Sequence, residues 1–265
     1  MTPPQEGFSI KSLERGLSIL EIIGKSPHPL TITEISQQNN LNKATALRFV
    51  RALCSLGYAT QENGKRYSLG AKTLSFGFSF LNRSNLIMAV KPYLDELSSK
   101  LQKSVNLAVL DEDHIVFLYR KEIKRFLKYD MYPGLRIPAH CLSSGKVLLA
   151  ALNDEKVQTI INGMDLVPVT AKTITSKELL FKEIVATRKR GYGISDQELS
   201  MDLYSLAVPL FNHQGTPAAA FNISMDARDK NKAMIRRVVL PMMFECGKTV
   251  SEILGFKGHY PEFHS

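Results

Sequence analysis

Two arginines, Arg48 and Arg51, point most directly to a chemical role, because they share one face of a predicted helix. A rotation of about 100° per residue places small side chains beside them and apolar side chains on the opposite face. Arginine can donate two hydrogen bonds to guanine, and small neighbours let a helix enter the major groove of DNA. The small residues are Ala44 and Ser55, with Thr45 at the flank, and the apolar stripe is Ala46, Phe49, Val50 and Leu53.

A second group of cations lies at the tip of a predicted hairpin that directly follows this helix. Asn63-Gly64 is a strong two-residue turn signal between alternating segments, and Lys65 and Arg66 come next. A basic hairpin in this position is typical of a wing that lies along phosphate. We therefore predict a DNA-binding surface that consists of Asn42, Lys43, Ala44, Thr45, Arg48, Arg51, Lys65 and Arg66.

The chain before these residues carries the start and stop signals of a helix-turn-helix. Thr31 and Glu34 have the spacing of a capping box, and Asn42 can cap the second helix. Gly57 stands where that helix needs a residue with positive φ. The alternative is an ordinary helical hairpin with a solvated charged face. Agreement among caps, spacing, turn and charge favours DNA binding.

A different set of polar residues, in the second half of the chain, predicts an anion site. Ser143-Ser144-Gly145 begins a predicted helix, where free amides, hydroxyl donors and the helix dipole favour a negative group. Asn222 and Ser224 are two residues apart, so they face one side of a predicted strand. Arg136, in the preceding loop, is a candidate carboxylate partner. The alternative for each serine is an ordinary helix cap or strand hydroxyl.

Residue patterns for catalysis or metal binding are incomplete. His140 and Cys141 are adjacent, a spacing that rarely brings both side chains to one substrate, and no third orienting group is evident. Ser144-Gly145-Lys146 lacks the earlier glycine and the following hydroxyl of a phosphate loop. The six histidines are scattered without metal-ligand spacing. We predict that the protein is not an enzyme and needs neither a metal nor a cofactor.

Length and composition are those of a two-domain globular protein of 265 residues, 44% of them hydrophobic. The net charge is +9, and residues 1–83 carry +5 of it, which suits a nucleic-acid partner at that end. The three cysteines, Cys54, Cys141 and Cys246, are too widely spaced for a disulfide framework or a zinc site. No run is long and apolar enough to span a membrane, so we expect a cytoplasmic protein without a membrane partner.

The periodicity of apolar residues predicts an α+β protein in three parts. Residues 8–70 form a winged helix-turn-helix whose first helix is capped by Ser12, residues 71–85 form a linker helix, and residues 86–258 form a sensor domain. The linker carries Leu74, Phe78 and Leu81 at helical spacing, which we interpret as a subunit contact. Its alternative is packing against its own domain. The sensor domain combines helices with an antiparallel sheet that includes predicted strands at 105–110, 115–119 and 126–129.

Five stretches in this order resemble the IclR family of bacterial transcription regulators. They are SLERGLSILEII, LTITEISQQNNLNKATALRFVRALCSLGY, YSLGAKTLSFG, GLRIPAHCLSSGKVLLAAL and GYGISDQELSMDLYSLAVPLFN. The second and fifth are most similar to the branch that controls the β-ketoadipate pathway, whose members respond to protocatechuate, 4-hydroxybenzoate or β-ketoadipate. The resemblance implies a GAF-like effector domain with a central antiparallel sheet, and homodimers that pair into tetramers.

The resemblance also implies where the effector binds. The family places it in a cavity of the C-terminal domain, and the matching positions are Ser143, Ser144, Ser205, Asn222 and Ser224. Many members have Ala-Thr-Ala-Leu-Gly-Lys where this chain has residues 141–146, Cys-Leu-Ser-Ser-Gly-Lys. The departure adds hydroxyl groups to the cavity.

These observations predict a transcription factor that binds a palindromic operator as a dimer and responds to a small aromatic or keto acid by regulating genes of aromatic catabolism, as an activator or as a repressor. Two alternatives belong to other classes of protein. One is an enzyme for a small organic acid with a DNA-binding appendage, and the other is a DNA-binding protein that responds to no ligand.

Overall fold

A computed structural model describes residues 10–62, 65–123, 131–261 and 263, without the side chains of residues 82 and 83. The chain divides into two compact units, Met1–Arg83 and Ser84–Ser265. The predicted turn at Asn63-Gly64 and the predicted strand at 126–129 lie outside the described residues. No described helix is long and apolar enough to cross a membrane.

The first unit is a three-helix domain with a small sheet and a trailing helix. The strand order is β1-β3-β2, with antiparallel pairing throughout. Apolar residues from the three helices and the sheet, among them Ile19, Ile35, Val50 and Tyr67, form one core. The elements are α1 (Lys11–Lys25), β1 (Leu30–Thr31), α2 (Ile32–Gln38), α3 (Lys43–Ser55), β2 (Ala59–Glu62), β3 (Arg66–Leu69) and α4 (Thr73–Arg83).

Side-chain caps set the turn between α2 and α3. Thr31 and Glu34 form the complete capping box, and Asn42 Oδ1 accepts a 2.8 Å hydrogen bond from the Thr45 amide. Gly57 follows α3 with φ of 82°. The prediction that Ser12 caps the first helix is wrong, since α1 begins at Lys11 and its N-cap, Ile10, makes no side-chain cap bond.

The linker helix is shorter than its predicted span of 71–85 and belongs to the first unit. Its large side chains are exposed: Leu74 by 73%, Phe76 by 64%, Phe78 by 63% and Phe80 by 60%. Phe76 stacks on Tyr58 with ring centroids 5.6 Å apart. Most of the apolar surface of α4 is therefore left uncovered by its own unit.

The second unit is a six-stranded sheet with helices on both faces. The strand order is β6-β5-β4-β9-β8-β7 and every pairing is antiparallel. A π-helical segment, Ile235–Val239, joins the last two helices of this unit. The elements are α5 (Asn85–Leu101), β4 (Ser104–Asp111), β5 (His114–Lys121), β6 (Arg136–Pro138), α6 (Ser143–Ala150), α7 (Asp154–Gly163), α8 (Lys177–Arg190), β7 (Gly193–Asp196), β8 (Leu203–Phe211), β9 (Pro217–Asp226), α9 (Lys232–Met234) and α10 (Leu240–Ile253).

Alternation along the strands divides the interior of this unit into two cores. Phe221 and Ile223 of β9 pack with α5 and α10, whereas Ala220 packs with α6, α7 and α8. Because neighbouring side chains on a strand point to opposite faces, Asn222 and Ser224 lie on the α6 face. Along β8 and β9 the face towards α5 and α10 is thus apolar, whereas the other face has a polar section under the start of α6.

Candidate functional sites

The exposed face of α3 carries the predicted recognition residues. Ala46, Val50 and Leu53 are buried, whereas Arg48 and Arg51 are exposed, which confirms the predicted division of the helix into two faces. Arg48 lies over the Phe49 ring, 6.0 Å from its centroid. No hydrogen bond or ion pair to the Arg51 side chain occurs among the described residues. Both guanidinium groups are therefore available to a ligand outside the unit.

The hairpin and α3 line one surface depression of about 580 Å³. Lys43, Ala44 and Arg51 contribute from α3, and Lys65 contributes from the hairpin, where its φ is 66°. Arg66 differs from the other cations, because its Nη1 donates to Pro29 O at 2.8 Å and lies 3.8 Å from Glu34. The structure thus combines three predicted cations around a shallow depression and ties Arg66 to the body of its own domain.

A polar cluster lies in the interior of the second unit, between α6 and the sheet. Ser143 and Ser144 open α6, and the strands supply the rest; their exposure is at most 2%. Ser143 Oγ and Ser205 Oγ are 2.8 Å apart, and Asn222 Nδ2 donates to Ser224 Oγ at 3.0 Å. The five residues of this buried cluster are Ser143, Ser144, Ser205, Asn222 and Ser224.

Strand register explains why residues so distant in the chain meet. Ser205 of β8 is the cross-strand partner of Ser224 in β9, and the same register continues to Ser104 in β4. Directly paired residues of antiparallel strands share a face. The helix start joins them because α6 packs across β8 and β9. The structure therefore brings these positions together in one buried cluster.

Two polar atoms of the buried cluster have no hydrogen-bond partner. They are Ser144 Oγ and Asn222 Oδ1. A buried polar atom without a partner costs about 1–3 kcal/mol, so native proteins rarely retain one without a reason. Asn222 Oδ1 can only accept a hydrogen bond, whereas Ser144 Oγ can accept or donate. The buried cluster is therefore equipped to bind a group that carries at least one donor.

Arg136 does not belong to this cluster, so the prediction that it binds the effector carboxylate is corrected. It pairs with Val116 across β5 and β6, while the neighbouring pair, Ile115 with Ile137, faces the α6 side. Alternation therefore directs Arg136 to the opposite face. There its Nη1 lies 2.6 Å from Asp111, and its side chain is 47% exposed.

Sequence reasoning missed two residues that the structure adds to the buried cluster. Asn106 of β4 is fully buried opposite Asn222, and its Nδ2 donates to Ser224 Oγ at 3.3 Å. Arg120 of β5 is opposite Asn106, and its Nη1 donates to Asn106 Oδ1 at 2.7 Å. The sequence did contain a signal for Asn106, because it is the one polar residue in the apolar run of residues 105–110. Arg120 had no such signal, since it directly follows the predicted strand at 115–119.

The geometry at His140 and Cys141 does not support nucleophilic catalysis. Both side chains are buried, and His140 Nε2 is 3.2 Å from Cys141 Sγ. Burial raises the pKa of the Cys141 thiol to about 12 and lowers the pKa of His140. A thiol at such a pKa is not a nucleophile near neutral pH. No cluster of potential metal ligands occurs within the described ranges.

Comparisons with known proteins agree with this two-unit architecture. Residues 12–63 match the IclR helix-turn-helix domain, and residues 78–252 match the C-terminal domain of bacterial IclR transcriptional regulators. The chain is 33% identical over 238 residues to the Pca regulon regulatory protein of Pseudomonas putida, covering 89% of this chain and 81% of that protein.

A second relative and one solved structure extend the comparison. The p-hydroxybenzoate hydroxylase transcriptional activator of Acinetobacter baylyi is 29% identical and aligns over 88% of each chain. The crystal structure of Thermotoga maritima IclR superposes with a TM-score of 0.69 at 25% identity, over 94% of this chain and all of that one. The matched families and relatives are transcriptional regulators rather than enzymes, which removes the enzyme alternative. The chain belongs to the IclR family of transcriptional regulators, within which it resembles the regulators of the β-ketoadipate branch.

Proposed function

We propose that this regulator binds a small aromatic or keto acid in the buried cluster and, in response, changes transcription from an operator bound by α3 and the hairpin. The observation that carries the proposal is the pair of unpartnered polar atoms, Ser144 Oγ and Asn222 Oδ1, inside an otherwise hydrogen-bonded interior. A ligand hydroxyl would satisfy Asn222 Oδ1, and a ligand acceptor or donor would satisfy Ser144. Both atoms belong to positions that the family resemblance assigns to the effector.

The proposed class of effector is an aromatic hydroxy acid or a related keto acid. It is supported by relatives named for the Pca regulon and for p-hydroxybenzoate hydroxylase. The chemistry of the buried cluster agrees, because the site needs a ligand with polar groups but has apolar walls. Leu203, Ala207 and Ala220 are buried on the same face of the sheet. Activation rather than repression is part of the proposal.

For DNA, we propose that Arg48 and Arg51 read base edges and that Lys43 and Lys65 contact phosphate. The depression between α3 and the hairpin collects these residue types without a nearby anionic partner for Arg51 or Lys65 among the described residues. Asn42 and Thr45 position the helix start through their cap bond. A palindromic operator would engage two such units, so the proposal includes a homodimer or tetramer that assembles through the exposed face of α4.

The test is Ser144→Leu, with Ser144→Ala as the smaller change at the same atom. Leucine replaces a small buried hydroxyl residue by a bulky apolar one at the start of α6, so we expect loss of measurable binding of protocatechuate, 4-hydroxybenzoate or β-ketoadipate by calorimetry. Alanine removes a hydroxyl that makes no hydrogen bond, so the protein should stay folded and bind more weakly. Operator binding should persist in both variants, whereas the response to acid is lost with leucine, because coupling requires differential binding.

Two results would contradict the proposal. Equal affinity of Ser144→Leu and the parent for the active acid would exclude the buried cluster as the site. A parent protein that binds operator, but neither binds nor responds to any of the three acids, would favour a different effector class or the ligand-independent alternative.

A further inference from the structure

We propose that Arg120 binds the carboxylate of the effector by exchanging its present partner, Glu122, for the acid. The inference rests on the proposed function, since it assigns a chemical role and an orientation within the same site. It reverses the orientation predicted from the sequence, in which the carboxylate lies at the start of α6. The hydroxyl end of the ligand then lies towards Ser144 and Asn222.

The position of Arg120 follows from the strand register. Arg120, Asn106 and Asn222 are successive cross-strand partners in β5, β4 and β9. They therefore form a row on the α6 face, in which neighbouring backbones are about 4.8 Å apart. Hydrogen bonds link the row, because Arg120 donates to Asn106 and both asparagines donate to Ser224. Arg120 thus belongs to the same polar network as the proposed effector residues.

Arg120 and Lys146 are both buried cations on the α6 side of the sheet, but their charges are matched in different ways. The Arg120 side chain is 9% exposed and that of Lys146, on α6, is 1% exposed. Lys146 Nζ lies 2.6 and 2.8 Å from the two oxygens of Glu198, itself buried, so its charge is already matched inside the protein. A buried carboxylate needs a charged, hydrogen-bonded partner. Arg120 can supply one without breaking a buried ion pair.

The present partner of Arg120 is suited to being displaced. Glu122 Oε1 accepts from Arg120 Nη2 at 2.6 Å, but the Glu122 side chain is 45% exposed. An ion pair with one exposed member contributes little, because water solvates the freed carboxylate. A ligand carboxylate inside the site could instead take two parallel bonds from the guanidinium fork, the stronger geometry. The remaining contact, from Nη1 to Met131 Sδ at 3.8 Å, is weak.

The other end of the row defines what the rest of the ligand must carry. Asn222 Oδ1 is an acceptor without a partner and lies two strands from Arg120. A ligand with a carboxylate at one end and a hydroxyl donor at the other satisfies both groups at once. The ligand class is therefore a short, rigid hydroxy acid. An uncharged analogue should bind more weakly, because it cannot form an ion pair with Arg120.

The experiment uses calorimetry to compare the affinity for 4-hydroxybenzoate with the affinity for its uncharged amide, 4-hydroxybenzamide. It is carried out on the parent protein and on four variants of the whole chain. The parent should prefer the acid by about tenfold or more, because only the acid forms a charge-assisted pair. Arg120→Met should remove the preference, and Arg120→Lys should keep part of it, since lysine retains the charge but not the fork. Arg136→Met is the matched control, an arginine on the opposite face that should leave the preference intact.

Glu122→Gln tests the exchange itself at an exposed position that should tolerate substitution. Removal of the competing carboxylate should strengthen binding of the acid several-fold and leave binding of the amide unchanged. Thermal melting and operator binding establish that each variant is folded. An unchanged affinity for the acid in Glu122→Gln would overturn the exchange.

The outcomes separate this inference from the proposed function. An acid preference that survives in folded Arg120→Met overturns the role of Arg120 while leaving the effector site in place. A preference lost equally in Arg136→Met also overturns it, since the effect would then follow surface charge. Failure of the parent to bind either compound or the related acids overturns the proposed function and this inference together.

Discussion

The candidate DNA-binding surface of the first unit and the buried cluster of the second unit are both polar, but they satisfy their polar groups in opposite ways. Arg48 and Arg51 extend into solvent, where water hydrates each guanidinium independently of its neighbours. Ser143 and Ser205 are buried, so each needs a partner inside the protein, and each has the other, 62 residues away in the chain. Residue types along one helix therefore reveal the first site, whereas the second depends on strand register.

The same contrast applies to charge. Exposed cations such as Lys65 need no internal partner, whereas Lys146 is buried and held by Glu198 from the segment between β7 and β8. A buried ion pair is costly to desolvate, and its removal on one side leaves the other charge unmatched. Substitutions in the second unit should therefore change stability, while those on the exposed surfaces should change association. Three predictions test that difference, in order of expected size.

Lys146→Met should have the largest effect, a loss of about 3–5 kcal/mol of stability in the second unit. The methionine keeps the volume of the side chain but leaves the buried carboxylate of Glu198 without its cation. Lys182→Met is the matched control, because Lys182 pairs with Glu178 on an exposed helix face. Urea unfolding measures both variants. Similar small losses in the two would show that burial does not distinguish these pairs.

Phe78→Asp should weaken self-association by about 1.5–3 kcal/mol, the value of burying a large apolar side chain. Phe78 is 63% exposed in its own unit, in line with Leu74 along α4. Sedimentation should show smaller species, and operator affinity should fall because two half-sites lose their linkage. Ser79→Asp is the control, since it adds the same charge beside the apolar stripe. A fully associated Phe78→Asp protein would place the subunit contact elsewhere.

Arg48→Ala should cost about 1–3 kcal/mol of operator binding and relax the choice of base at one position. Lys65→Ala offers the comparison within the same surface, because loss of a phosphate contact weakens specific and non-specific DNA alike. For Lys65→Ala, a plot of the logarithm of the binding constant against the logarithm of the salt concentration should be less steep by about 0.9. Binding titrations at several salt concentrations separate the two. If folded Arg48→Ala binds the operator as tightly as the parent does, Arg48 does not contact the bases.

Local chemistry made the first unit predictable in detail. The capping box of Thr31 and Glu34, the Asn42 cap and the positive φ of Gly57 all occur as predicted, since both caps join residues three apart and the turn depends on a single glycine. The prediction for the start of α1 relied on the same kind of local signal and was wrong. Ser12 has a capping side chain, but the helix begins one residue earlier and makes no such bond.

The candidate effector site was predictable only in part. The spacing of Asn222 and Ser224 correctly placed both on one face, and Ser143 and Ser144 do open a helix. Arg136 was chosen for its charge and its place before that helix, but register in β6 turns it to the other face. Arg120 was not predicted, because no residue near it in the chain belongs to the buried cluster.

The sequence by itself determined the α+β organisation, the helix-turn-helix with the two faces of α3, and the family, because these depend on local periodicity, capping and short motifs. The tertiary structure alone decided which polar side chains share the buried interior of the second unit. Asn106, Arg120 and Asn222 come from three strands, and only antiparallel pairing brings them into one row. A shift of one residue in any of those strands would turn its side chains to the opposite face, so no single segment contains the information.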